Sequence, residues 1–182
     1  MLSIARAFIV LTLFALPAAA ADWPPAPTAP GITGSLGYTK LPGAAYNPDP
    51  KHTYKIVFDI TKPAAKPTEA AEGIALAATE LDQLRGNGVP AANTKFALVF
   101  HGGALDSILN NETYKSKHGT DNPNLPILAA LKKEGVALLV CGQMLVITKT
   151  DPKTIAKDVT LGSDALLMLA TLQNEGYALL SF

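Results

Sequence analysis

The chain has 182 residues, with 15 basic and 15 acidic side chains and 48% hydrophobic residues. That balance gives no basic stripe for nucleic acid and no polybasic patch for anionic lipid. A single cysteine excludes an internal disulfide framework, so the fold must stand on its apolar core.

Residues 1–21, MLSIARAFIVLTLFALPAAAA, combine a positive Arg6, an apolar stretch too short to span a bilayer, Pro17 and a run of alanines. This pattern reads as a secretory signal peptide. It predicts an exported, periplasmic protein with no stable membrane anchor. No cysteine lies at the cleavage site to carry a lipid. About 160 residues then remain, the size of one domain with its own core.

Residues 22–52 are punctuated by Pro and Gly and sustain no helical or strand period. They read as an extended leader, either flexible or pinned to a surface by Trp23, Tyr38 and Tyr46. Regular structure begins at TYKIVFDI, a strand apolar on most of both faces. TEAAEGIALAATELDQLRGNG follows as a helix, with Thr68 as its predicted cap and Gly86 and Gly88 at its end. Phe96–Phe100 is a continuous apolar run that suits a central parallel strand, closed by His101-Gly102-Gly103. ALDSILNNETYKSKHGTDN reads as a short helix and then a polar loop. NPNLPILAALKKEG is a helix capped by Asn122 with Pro123 in its first turn. VALLVC is a third core strand, and a short helix is expected over 152–157. VTLG is a fourth strand, SDALLMLATLQNEG a helix capped by Ser163 or Asp164, and YALLSF a final strand.

Strands and helices therefore alternate from residue 53 to residue 182. The predicted fold class is α/β, a three-layer α/β/α domain with a mostly parallel five-stranded sheet. In such sheets ligands bind beyond the carboxyl ends of the strands. Two strands end in reactive side chains, one in His101 and one in Cys141. Cys141 is either a reactive thiol or a small buried hydrophobe. His101 is a candidate thiolate partner, or a strand-end histidine bonded to a loop carbonyl. Backbone N–H groups of Gly102, Gly103, Gly142 and Gln143 are candidate ligand contacts. The same holds for Asn122 and Asn124, which alternatively order their loop through side-chain to backbone bonds. His118, in the polar loop, reads as solvated. The histidine and cysteine spacings match no zinc pattern, and HGG is neither a dinucleotide fingerprint nor a P-loop, so no metal or cofactor is expected.

Taken in order, YKIVFDIT, ALVFHGGAL, NPN, VCGQ and a late GYALLSF resemble the DsrE/DsrF-like family, related to sulfur relay, over about residues 53–182. The resemblance implies a parallel five-stranded sheet and homo-oligomers, often trimers or hexamers. It also implies a strand-end cysteine that carries a persulfide and exchanges sulfur with a donor or acceptor protein. Cys141 is the matching position. Unlike the cytoplasmic relay members, this chain carries an export signal, and no arginine follows its cysteine. Two readings of function are therefore carried forward. One is an exported DsrE-like sulfur carrier. The other is a non-enzymatic oligomeric protein that binds a small ligand and has a structural cysteine. The helix over 165–172, apolar on more than one face, predicts self-association under either.

Overall fold

Each apolar run read as a strand pairs in one sheet. The computed structural model of the chain describes residues 31–41 and 43–182. Residues 1–21, read as a signal peptide, and Trp23 lie outside the described residues. The strands are β1 (Tyr54–Ile60), β2 (Thr94–Phe100), β3 (Ala137–Cys141), β4 (Thr160–Gly162) and β5 (Ala178–Ser181). They are all parallel, in the order β4-β3-β2-β1-β5. Among the described residues there are five α-helices: α1 (Glu72–Gly86), α2 (Asn111–His118), α3 (Leu125–Lys133), α4 (Gly142–Thr148) and α5 (Ala165–Asn174). The predicted three-layer α/β/α fold is what the chain adopts.

Side-chain alternation divides the strands between two cores. Phe58, Phe96, Leu98, Phe100, Leu138 and Val140 face one side, where Ile74, Ala78 and Leu81 of α1 and Leu128 and Leu131 of α3 close over them. Burying a side chain such as Phe58 or Leu98 contributes about 1.5–3 kcal/mol, so this face supplies most of the stability. The opposite face is thinner. Val57, Ala97, Val99 and Cys141 meet only Ala165 and Leu169 of α5 as fully buried partners.

Helix starts depart from the sequence reading for a common reason. Thr68 does not cap α1; the cap is Ala71, whose N–H donates to Asn124 Oδ1 at 2.8 Å. Nor does Asn122 cap α3. Its amide is engaged by the carbonyls of Ser107 and Leu109, so the helix begins after Asn124, with Pro126 in the first turn. The segment read as a polar loop contains α2, capped by Asn110 Oδ1 on Thr113 N–H and ended by Gly119. Only Tyr114 of α2 is buried, which is why no apolar period announced it. The short helix expected after His101 is a 3₁₀ segment over Gly102–Ile108. Around the short helix expected over 152–157 there is only a 3₁₀ turn, Pro152–Thr154, preceded by α4.

Part of the leader docks on the domain. Ile32 is buried in the main core, and the buried Asp82 carboxylate accepts Gly31 N–H and Ser35 Oγ–H. Leu36 N–H donates to Thr79 Oγ1, and Tyr38 occupies the space left by the missing side chain of Gly86. Tyr46, by contrast, is almost fully exposed.

Candidate functional site at the carboxyl edge of the sheet

The connections after β3 and β4 leave the sheet toward opposite faces. After β3 the chain enters α4, whose Leu145 joins the main core; after β4 it enters α5, which covers the thin face. Diverging connections of this kind open a crevice at the strand ends, the usual ligand position in open α/β sheets. Cys141 is the last residue of β3, buried at the base of that crevice.

The thiol is free and 5% exposed, packed with Val57, Ala97, Val99, Ala165 and Leu169. Its Sγ accepts the N–H of Ala165 at 3.3 Å. Ala165 is the first residue of α5, and Asp164 caps that helix through Leu167 N–H. The partial positive charge of a helix N-terminus therefore sits beside the sulfur. Gly142 and Gln143 are taken up by the opposing loop. Gln143 N–H donates to Ser163 O at 3.1 Å, and a Cβ on Gly142 would lie 2.6 Å from Gly162 O. The two loops are thus pinned together by backbone contact. Just beyond them lies a pocket of about 430 Å³, lined by Gly142, Gln143, Val146, Lys149, Leu161 and Ser163 among others.

His101 follows β2, next to Cys141 across the sheet, but the two side chains are bonded elsewhere. The sulfur has Ala165 N–H; the imidazole Nε2 bonds Asp59 Oδ1 at 2.7 Å. Asp59 also accepts Ser181 Oγ–H at 3.3 Å through its other oxygen. Asp59 and Ser181 were missed by sequence reasoning. The available signal was that Asp59 is the one acid within the apolar first strand. Gly102 and Gly103 pack near Thr61 O and open the 3₁₀ segment.

Asn122 and Asn124 lie in the interior. Both are buried, Asn122 Oδ1 accepts Asn124 N–H, and each ties a loop or helix start in place. Of the two functions read for them, the geometry serves loop ordering. His118 belongs to a second polar cluster, with Nε2 on Asp106 Oδ2 at 3.0 Å and Lys117 on the other carboxylate oxygen at 2.7 Å. Its ring packs 4.4 Å from that of Tyr114. Burial, and then the Asp106 charge, raise the Tyr114 phenol above its usual range. Among the described residues no group of histidine, cysteine and acidic side chains is arranged to hold a metal.

A model of the DsrE/DsrF-like family matches residues 55–182. This chain belongs to that family. Its fold is similar to that of a solved protein of unknown function from Methanobacterium thermoautotrophicum, MTH1491, with a TM-score of 0.50 and 16% sequence identity. The alignment covers 71% of this chain and 99% of the archaeal one. No curated protein matches the chain. The DsrE-like domain thus takes in all five strands and the Cys141 crevice, and begins beyond the docked leader.

Proposed function

We propose that this DsrE-like protein is an exported sulfur carrier that holds a persulfide on Cys141. One observation carries the reading: the only thiol of the chain ends a core strand at the topological crevice and receives a helix N-terminal N–H on its sulfur. The step is thiolate attack on the terminal sulfane sulfur of a polysulfide. A new S–S bond forms on Cys141, the donor S–S bond breaks, and the shortened polysulfide leaves with the electron pair. Attack by an acceptor thiolate on the outer sulfur then returns the Cys141 thiolate. No outside oxidant is needed, because the transferred sulfur is already at the sulfane level.

The N-terminal pattern of Arg6, an apolar stretch, Pro17 and a run of alanines, read as a signal peptide, supports action in the periplasm. Self-association is part of the reading, through the outer side of α5, where Leu166 and Leu167 are exposed. Family membership supports both sulfur handling and a protein donor or acceptor.

The burial of Cys141 favours a second reading, an oligomeric ligand-binding protein with a structural cysteine. Intact mass after exposure to polysulfide separates the two. The carrier gains sulfur in the wild type and none in Cys141→Ser. A wild type that stays unmodified, and whose thiol resists alkylation while folded, supports the structural cysteine instead.

A further inference from the structure

We propose that Asp59 is a positioning residue of this site, holding the His101 imidazole as proton acceptor for the Cys141 thiol. The proposal rests on the reading of Cys141 as the reacting sulfur. Pairing of β2 with β3 runs from Ala97↔Ala137 to Phe100↔Val140, which brings His101 level with Cys141 at the next position. His101 remains extended, with φ −156° and ψ −177°, and its N–H still bonds Ile60 O at 3.1 Å. That bond holds His101 in line on its β1 side, and the β2–β3 register, continued one residue past Phe100↔Val140, sets it level with Cys141. Adjacent strands lie about 4.8 Å apart, so the two residues are lateral neighbours. Both fall on the thin face, two positions after Val99 and Leu139; Asp59 falls there too, two positions after Val57. Asp59 pairs with Val99, two residues before His101, so Asp59, His101 and Cys141 form an oblique row on one face of three adjacent strands.

The chemistry of the row is directional. An ionised carboxylate only accepts, so the 2.7 Å bond to Asp59 fixes the proton of neutral His101 on Nε2. Nδ1, the nitrogen nearer the backbone, then carries the lone pair and has no partner among the described residues. Ser181 Oγ–H on the second oxygen holds the carboxylate in place. The His101 and Asp59 side chains are 22% and 17% exposed, so this is neither a solvated surface pair nor a sealed core pair. Of the other charges near this face, Lys55 is drawn away over Tyr177 and onto Glu175 O, and the Asp164 carboxylate accepts Leu167 N–H at the start of α5. Strand register does not depend on the pair, because β1 and β2 are already laddered from Tyr54↔Thr94 to Ile60↔Phe100. In the step, the thiol proton passes to His101 Nδ1 and the S–H electron pair stays on sulfur. Asp59 keeps its charge and offsets the imidazolium.

Alkylation of Cys141 by iodoacetamide, followed by mass across a pH series, tests the assignment in the folded mature protein. Asp59→Asn is expected to slow alkylation at neutral pH by roughly tenfold or more and to shift the pH profile. Asp59→Glu recovers part of the rate, and Asp59→Asn adds nothing on a His101→Asn background. The proposal is overturned by a wild-type rate and profile in Asp59→Asn, by effects that add to those of His101→Asn, or by a Cys141 that never alkylates in the folded protein. Should Asp59→Asn fail to fold, the His101→Asn and Asp59→Glu profiles decide. A wild type that alkylates as predicted but takes no sulfur from polysulfide removes the carrier reading and leaves the role of Asp59 standing.

Discussion

Asn122 ties the turn before α3 to the end of the 3₁₀ segment. Its amide donates to the carbonyls of Ser107 and Leu109, and its oxygen receives Asn124, which in turn anchors the start of α1. Asn122→Ala leaves these buried groups unpaired, and we expect a loss of about 2–4 kcal/mol in urea unfolding. Glu80 is a milder case with a pH signature. Burial raises its carboxyl above the ordinary value, so the folded state holds this proton more tightly than the unfolded state. Ionised Glu80 therefore costs stability at neutral pH, and the cost disappears as pH falls through its raised value. Glu80→Gln should raise the melting temperature at neutral pH, with the gain shrinking on acidification. A gain independent of pH would point to packing instead. At this scale the sequence was partly legible. Cys141 and His101 were found because strands end at them. Asp59 was not, because its significance depends on a neighbouring strand that brings His101 within bonding distance. Asn122 and Asn124 were recognised as polar loop residues, but whether they face a ligand or the interior is settled by burial alone.

Elements were read well where apolar period and caps coincide, as in α5, whose predicted Asp164 cap is present. Asp164→Ala should cost about 1 kcal/mol and loosen the turn that presents Ala165 N–H to the sulfur; thermal unfolding measures the first effect. Elements were read poorly where polar contacts replace apolar period. α2 buries one side chain, and α4 follows its strand without a connecting loop, so neither carries the pattern expected of a surface helix. The leader shows the same limit. Its composition suits an extended chain, yet residues 31–38 are held on α1 by Asp82, Thr79 and the space above Gly86. Asp82→Ala removes the acceptor for Gly31 and Ser35. Limited proteolysis should then cut this segment faster than in the wild type, while the sheet survives. Equal cleavage rates would show that the docking of Ile32 and Tyr38 suffices.

Across the whole molecule the two faces of the sheet are unequal. α1 and α3 seal one side, whereas α5 alone covers the other and leaves Leu166 and Leu167 at 69% and 65% exposure. If that surface joins copies of the chain, Leu167→Lys should lower the mass seen by light scattering and leave the circular dichroism unchanged. An unaltered mass would place the contact elsewhere. A mostly parallel sheet follows from strand and helix alternation, but pairing that is parallel throughout and the order β4-β3-β2-β1-β5 do not, since alternation alone does not say on which side of β1 the last strand is added. That order is what sends the connections after β3 and β4 to opposite faces and sets Cys141 at the crevice. The proposed function requires that this sulfur accept and release cargo. Isotopically labelled polysulfide, followed by a chase with an acceptor thiol and intact-mass detection, asks this directly. We predict one labelled sulfur on wild-type Cys141 that moves to the acceptor, and none on Cys141→Ser. Label that never binds the wild type, or binds equally to Cys141→Ser, would contradict the account.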